Sequence, residues 1–468
     1  MIFDIAIIGG GVIGAACFSK LTRLGQKVVL IEKETDVAMG ASKANSGLVH
    51  AGFDCKPNTL KAKFNVLGNS MIPVLCDELS VPYKKTGALV ASNDLEKIKE
   101  LFERGKQNGV KELSIIDDEK LHKLVPNLSP DIHYALFAKT AGIVSPYMLT
   151  IALAEEAVIN GGETKFRFKI EKIKKNTEFF TIFGQNETVF AKKIINASGA
   201  GFNEISKLLK TETYPLEFRR GEYFMLDKNL DFVNLTVFPL PSASSKGVLA
   251  TPTASGNTMF GPTSDASNYD TSTTAEGLGI IKSNINQMFT NVPWHKAIRE
   301  FAGVRVLSGN DFIVEKSKLN PNVINLCGIC SPGLSSAPAI AEYVARNLLE
   351  IKTNEKFKRR KPYTKTKNMT ADQLNALISK HKAYGNIVCR CETVTEGEIL
   401  EAIHSPLKPT TIDAIKRRVR AGMGRCQGGF CSLKVANLIS RETGIPLEKI
   451  EKDAAGSFII KGNIKENL

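Results

Sequence analysis

The chain has 468 residues, 43% of them hydrophobic and 24% charged, which excludes wholesale disorder and predicts two to three domains. Sixty-two Lys and Arg stand against 48 Asp and Glu, a net +14, but a single Trp and no interleaved aromatic and basic stretches argue against nucleic acid as the partner. Nine cysteines follow an N-terminus without a basic n-region or a cleavage site. That combination predicts a cytoplasmic, reducing compartment with free thiols or metal ligands rather than disulfides. No apolar run is long enough to span a bilayer, so any membrane contact is expected to be peripheral, on the inner face of the cell membrane.

Ile5-Ala6-Ile7-Ile8 is an apolar run of the kind that a parallel sheet buries on both faces. Gly9-x-Gly11-x-x-Gly14 follows it and opens a helix expected over Val12 to Leu24, stopped by Gly25. Val28 to Ile31 reads as the next buried strand and ends at Glu32 and Lys33. Each part suits a dinucleotide. Gly9 allows the tight turn, Gly11 leaves room for the pyrophosphate, and Gly14 lets helix and strand approach closely. The helix N-terminus at Val12 and Ile13 offers N–H groups to the phosphates, and Glu32 can accept hydrogen bonds from ribose hydroxyls. NAD and FAD share this fingerprint.

Further along, about 81–142 and 214–301 mix alternating runs with short helices, as in an α+β domain inserted into the first one. Ile194-Ile195-Asn196-Ala197 followed by Gly199, and Val323 to Leu348, repeat the strand and glycine-loop pattern, the second with a helix expected over Ala337 to Leu348. The expected architecture is an α/β, Rossmann-like cofactor domain (1–80, 141–213 and 302–351) interrupted by an α+β substrate domain (81–140 and 214–301). Residues 352–375, rich in Lys and Arg, read as an exposed basic linker. A small helical module would occupy 376–468.

Three segments choose between the cofactors: Gly40-Ala-Ser42-Lys43-Ala-Asn45-Ser46-Gly47-Leu-Val-His50-Ala-Gly52, Asn196-Ala197-Ser198-Gly199, and Cys327-Gly-Ile-Cys330-Ser-Pro332-Gly333-Leu334-Ser335-Ser336. They resemble the FAD-dependent glycerol-3-phosphate dehydrogenase and oxidase family, within the D-amino-acid-oxidase-like flavoenzymes. Supporting stretches are Ala141 to Tyr147, Arg219 to Tyr223, Thr251-Pro252-Thr253 with Gly261-Pro262-Thr263, and Phe301 to Arg305. The resemblance spans roughly residues 1–350. It implies that Ser42, Ser46, Gly47, Ile170, Ala197, Ser198, Gly199, Gly333, Leu334 and Ser335 hold FAD, with Lys43 at the pyrophosphate. It implies His50 as the base that takes a hydroxyl proton while hydride passes to the flavin, and Arg305 as the anchor of a substrate anion. Arg220, Tyr223 and Ser46 are further substrate contacts. Cys55, Cys327 and Cys330 read as buried bystander thiols, and the other five histidines as ordinary core or surface residues.

The remaining module carries Cys389-Arg-Cys391 and Cys426-Gln-Gly-Gly-Phe-Cys431. Four thiolates suit zinc or an iron–sulfur cluster. Thr395-x-x-Glu398 reads as a capping box, and Ile412, Ile415 and Val419 as the apolar stripe of a helix ended by Gly422. The module resembles the bacterioferritin-associated-ferredoxin-like (BFD-like) [2Fe-2S] domain, which implies Cys389, Cys391, Cys426 and Cys431 as ligands, with zinc the alternative. Lys416, Arg417, Arg418, Arg420 and Arg425 beside them read either as a docking face for an acidic redox partner or as counter-charges to the cluster.

The resulting expectation is oxidation of sn-glycerol 3-phosphate to dihydroxyacetone phosphate, with electrons leaving through the cluster to a partner protein or quinone. Oxidation of L-2-hydroxyglutarate or another 2-hydroxy acid, and a non-catalytic flavin and iron–sulfur sensor, are the alternatives.

Overall fold

The computed structural model describes residues 1–241 and 247–462. The first apolar run becomes the strand Ile2–Ile8, central in an eight-stranded sheet. It pairs in parallel with Val28–Ile31 on one side and with Thr188–Asn196 on the other. Val323–Cys327 continues the parallel layer beyond Thr188–Asn196, and Glu163–Lys165 extends it beyond Val28–Ile31. Both faces are covered, which is why the strand shows no polar alternation. Ile5, Ile7, Val28 and Leu30 meet the helices Val12–Arg23, Pro146–Ile159 and Gly333–Tyr343. Ala6, Ile8, Val29 and Ile31 meet Phe168, Phe180 and the helix Phe202–Leu209.

The helix Gly333–Tyr343 begins ahead of the expected Ala337, and its last turn, Val344–Leu348, widens into a π-turn. Its early start rests on a close approach to the helix Leu60–Glu78: a Cβ on Gly68 would lie 1.9 Å from the Ser335 carbonyl oxygen.

A second sheet of nine strands, mostly antiparallel, stands beside the first. Its long strand Glu217–Lys228 pairs with Ala297–Leu307 over the latter's whole length, from Ala297 opposite Leu226 to Leu307 opposite Glu217. The boundary expected at residue 302 therefore falls inside one strand, and Arg305 is carried by the second sheet. Leu89, Phe224, Leu226 and Phe260 pack under the helix Ala275–Met288 as that sheet's core. Among the described residues, no helix is long and apolar enough to cross a membrane.

The basic segment is largely exposed, but it is anchored at a few points. It runs as a strap over the first domain: Lys356 N–H donates to the Arg23 carbonyl, and the Arg23 guanidinium lies 3.8 Å over the Phe357 ring. Arg360 is buried and paired with Glu155 at 3.0 Å, while the Tyr363 hydroxyl donates to the same carboxylate. Glu155, on the helix Pro146–Ile159, is itself buried, so a lysine- and arginine-rich stretch here supplies the counter-charge of an interior acid. The last part of the expected linker is helical, in Ala371–Lys380.

In the C-terminal module, the helix Glu396–Ile403 starts with the capping box of Thr395 and Glu398. The helix Ile412–Val419 stops earlier than expected, because Arg420 adopts a left-handed conformation before Gly422 is reached. That helix docks the module. Arg418 is fully buried and holds Asp36 through contacts of 2.6 and 3.1 Å, with Glu155 at 3.5 Å. Arg417 and Lys43 share Asp453 at 2.7 and 2.6 Å. Arg420 and Lys228 share the buried Glu392. The basic run that reads as a surface face is, at Arg417, Arg418 and Arg420, the ionic interior between the module and the rest of the chain.

Candidate active site and thiol centre

Between the two sheets lies a cavity of about 540 Å³ that runs from Glu32 and Lys33 at one end to His50 and Arg305 at the other. Its first part is made of backbone. Gly9, Gly11, Val12 and Ile13 line it, and each glycine excludes a side chain for a specific reason. A Cβ on Gly14 would stand 2.0 Å from the Gly9 carbonyl oxygen, and one on Gly9, at φ +109°, 2.5 Å from that of Ala197. Gly11 instead faces the cavity, where its missing Cβ leaves room for a ligand. Ser42 lines the same stretch and accepts the Val12 N–H at 2.9 Å, so it caps the helix Val12–Arg23. Glu32 accepts from the Gly10 and Glu34 N–H groups at 2.6 and 3.0 Å. Burial dominates those bonds and raises its carboxyl above the ordinary range.

Ala197, Ser198 and Gly199 line the cavity beside that turn, with Ser198 anchored to Asn196 at 2.6 Å. Gly333 and Leu334, at the start of the helix Gly333–Tyr343, line the far end together with Ser331 and Ser46. The Cβ-free turn, the helix terminus beside it and the elongated shape fit a dinucleotide flavin. Ser335 does not reach the cavity wall. It is fully buried, and its hydroxyl accepts the His50 N–H at 2.8 Å, making it a brace for His50.

His50 is buried, and its carbonyl receives the Asn69 amide at 3.0 Å. Its Nε2 lies 3.4 Å from Ser331 Oγ, and its ring stands 5.9 Å from that of Phe238. Across the cavity, Arg305 donates to the Thr263 carbonyl at 2.7 Å, while its Nε is buried with no hydrogen-bond partner among the described residues. Tyr223 lines the same wall, stacked on Phe301 at 4.8 Å. Burial pushes its hydroxyl up to about 12, against the pull of the Arg305 charge. A cation with a donor to spare and an imidazole in the same cavity can hold an anion while a proton is removed.

Besides Ser335, Lys43, Arg220, Ile170 and Gly47 also lie off the cavity wall. Lys43 turns away from the cavity to Asp453, because the module brings a carboxylate to it. Arg220 is held by Glu222 and Asp270 at 3.3 and 3.0 Å. Ile170 packs into the core with Phe168 and Phe180. Gly47, at φ +67°, is pressed against the Val144 carbonyl and faces a second cavity of about 790 Å³ between the flavin-side loop and the module. Cys330 lines the flavin cavity, whereas Cys327 is buried and its thiol is pushed up to about 12 by burial. Sequence reasoning passed over Ser331 and Phe238. Both lie in or near glycine- and proline-rich turns whose folding toward His50 no local pattern reveals.

The four module thiols form two pairs. Cys391 and Cys426 have their sulfurs 3.5 Å apart, and Cys389 is in hydrogen-bond contact with Cys431. Contact with Cys431, helped by the Gly422 and Glu392 N–H groups, outweighs burial and draws Cys389 down to about 6. Burial opposes ionisation of Cys426, but the Cys391 thiol and the Gly428 and Phe430 N–H groups carry it below the ordinary thiol range. A Cβ on Gly424 would stand 2.3 Å from that of Cys391, so the loop is tailored around the sulfurs. Two pairs of sulfurs, each with backbone donors, fit a two-iron cluster with two thiolates per iron.

The family comparisons agree with both sites. Residues 4–347 match the FAD dependent oxidoreductase model, and residues 387–441 match the BFD-like [2Fe-2S] binding domain. The chain belongs to the FAD dependent oxidoreductase family and carries a BFD-like [2Fe-2S] domain; its cofactors are FAD and a [2Fe-2S] cluster. It is 43% identical to a glycerol 3-phosphate dehydrogenase of Caloramator mitchellensis over the whole of both chains. It is 32% identical to a glycerol 3-phosphate oxidase of Mycoplasma genitalium, over 76% of this chain and 96% of the relative. A dithionite-reduced, FAD-bound L-α-glycerophosphate oxidase of Mycoplasma pneumoniae superposes with a TM-score of 0.72 at 30% identity, covering 76% of this chain and 97% of that one.

Proposed function

We propose that the enzyme oxidises sn-glycerol 3-phosphate to dihydroxyacetone phosphate and passes the electrons through its [2Fe-2S] cluster to an external acceptor. The carrying observation is that His50 and Arg305 line one cavity. The full-length similarity to a glycerol 3-phosphate dehydrogenase supports the choice of substrate. Arg305 and Tyr223 bind the phosphate, and Nε2 of His50 takes the proton of the secondary hydroxyl. Ser331, within reach of Nε2, and Ser335, on the His50 backbone, keep the ring in place. Bound FAD supplies the two-electron acceptor for the hydrogen on the alcohol carbon. The closed wall of Phe238, Leu249 and Tyr223 limits water around the developing charge.

Anaerobic mixing with glycerol 3-phosphate should bleach the flavin absorbance of the wild-type enzyme. His50→Asn should retain FAD and lose the bleaching. Bleaching by L-2-hydroxyglutarate but not by glycerol 3-phosphate would move the assignment to a 2-hydroxy acid. Lack of bleaching by either would favour a sensor.

A further inference from the structure

The structure separates the module's basic residues into two populations. Arg417, Arg418 and Arg420 are consumed by interior carboxylates. Arg390, Arg425 and Lys434 are exposed and surround the thiols in sequence: one between Cys389 and Cys391, one before Cys426 and one after Cys431. Arg390 and Lys434 have no carboxylate partner among the described residues, and Arg425 stays 76% exposed although it touches Asp227. Glu392, the acid beside Cys391, is buried and already shared by two cations.

Phe430, inside the loop between Cys426 and Cys431, stands 84% exposed, the most exposed large apolar side chain among the described residues. Its N–H donates to Cys426 while its ring faces solvent. Leu433 follows on the first turn of the helix Ser432–Thr443, 53% exposed. Cys391 is exposed as well, so this edge of the thiol centre meets water. An exposed aromatic in the loop of a redox centre, with exposed cations next to its ligands in sequence, offers the parts of a small transient interface: an apolar contact and steering charge.

We propose that the surface of Phe430 and Leu433, rimmed by Arg390, Arg425 and Lys434, docks a small acidic protein that carries one electron at a time. This rests on the relay reading above. Each alcohol oxidised releases two electrons and two protons. The protons go to solvent, and the electrons leave singly from the cluster to two partner molecules, each reduced once.

The test uses the full-length holoenzyme with glycerol 3-phosphate and two probes, the acidic haem domain of cytochrome b5 and the basic cytochrome c. The wild-type enzyme should reduce cytochrome b5 faster than cytochrome c, and added salt should slow the b5 reaction. Phe430→Ala should slow b5 reduction at least tenfold. The pair Arg390→Glu and Arg425→Glu should reverse the preference between the probes. Flavin bleaching by substrate and the cluster's electron paramagnetic resonance signal should be unchanged in all variants. Unchanged b5 rates in the variants, or a wild-type preference for cytochrome c, would overturn the proposal while leaving the relay intact. So would loss of anionic-vesicle binding in the variants with b5 reduction unaffected, which would assign the surface to lipid. Failure of the relay itself would show differently: substrate would bleach the flavin and the cluster would stay oxidised.

Discussion

The flavin cavity and the thiol module are both cofactor sites, but they are built from opposite materials. The dinucleotide turn at one part of the cavity is largely backbone, packed through glycines whose substitution would collide with carbonyls at 2.0 to 2.5 Å. The thiol site is four side chains in a small module, and its position depends on ion pairs with residues hundreds of positions away, such as Arg418 with Asp36. A site made of backbone leaves its constraints in a short stretch of sequence. A site held by long-range charge leaves only an unexplained surplus of arginine.

The sharpest way to separate the two regions is to disable one and watch the other. His50→Asn is expected to slow substrate-driven flavin reduction by about 10²–10⁴-fold, the usual contribution of a positioned acid–base group. Dithionite should still reduce the cluster of that variant, because the exposed edge at Cys391 lets the reductant reach the thiol centre directly.

Arg418→Met removes one partner of a buried network and leaves Asp36 with only Arg417, at 3.6 Å, while Glu155 keeps Arg360. It should destabilise the docked arrangement by about 3–5 kcal/mol, read as an added low-temperature transition in calorimetry. Flavin reduction by substrate should survive if the cavity is independent of the module. A parallel loss of FAD would show instead that Asp36, on the loop that also places Ala38 N–H on the Gly10 carbonyl, couples the two sites.

Arg305→Leu should raise the substrate KM about tenfold to a hundredfold with a smaller change in kcat, the size of a charged hydrogen-bonded contact. The expectation is specific to the cavity: the same substitution at Arg220, which faces Glu222 and Asp270, should leave KM unchanged.

The smallest effect concerns pH. Burial resists ionisation of Asp453 and Glu392, but Arg417 and Lys43 around the first, and Arg420 and Lys228 around the second, outweigh it and hold both carboxyls below their ordinary values of 3.8 and 4.5. Carboxyls depressed on folding stabilise the folded state above their unfolded pKa, and that contribution is lost as pH falls through the folded values. Cleavage at the 352–375 strap should therefore increase below about pH 4 while the flavin spectrum persists. Equal sensitivity of both regions to acid would erase the contrast.

What could be read from sequence follows the same division. The dinucleotide turn, the buried strands, the capping box at Thr395 and the four thiols were legible because each depends on residues within one or two elements. The residue 302 boundary failed because a strand's sheet membership is decided by its partner, here Glu217–Lys228, and not by its own pattern. The partners of Lys43, of Arg220 and of the basic strap were not legible for a related reason. A cation's role depends on which carboxylate the fold delivers, and Asp453, Asp270 and Glu155 are distant in sequence from Lys43, Arg220 and Arg360.

The central claim is that one chain takes electrons from glycerol 3-phosphate at the flavin and releases them at the cluster. Anaerobic rapid mixing of the holoenzyme with glycerol 3-phosphate, followed by flavin absorbance and freeze-quenched electron paramagnetic resonance, tests it directly. The account predicts flavin bleaching first and a reduced [2Fe-2S] signal next, with the second phase abolished in Cys426→Ser and the first retained. A bleached flavin beside a cluster that stays oxidised, or a flavin that does not bleach, would contradict it.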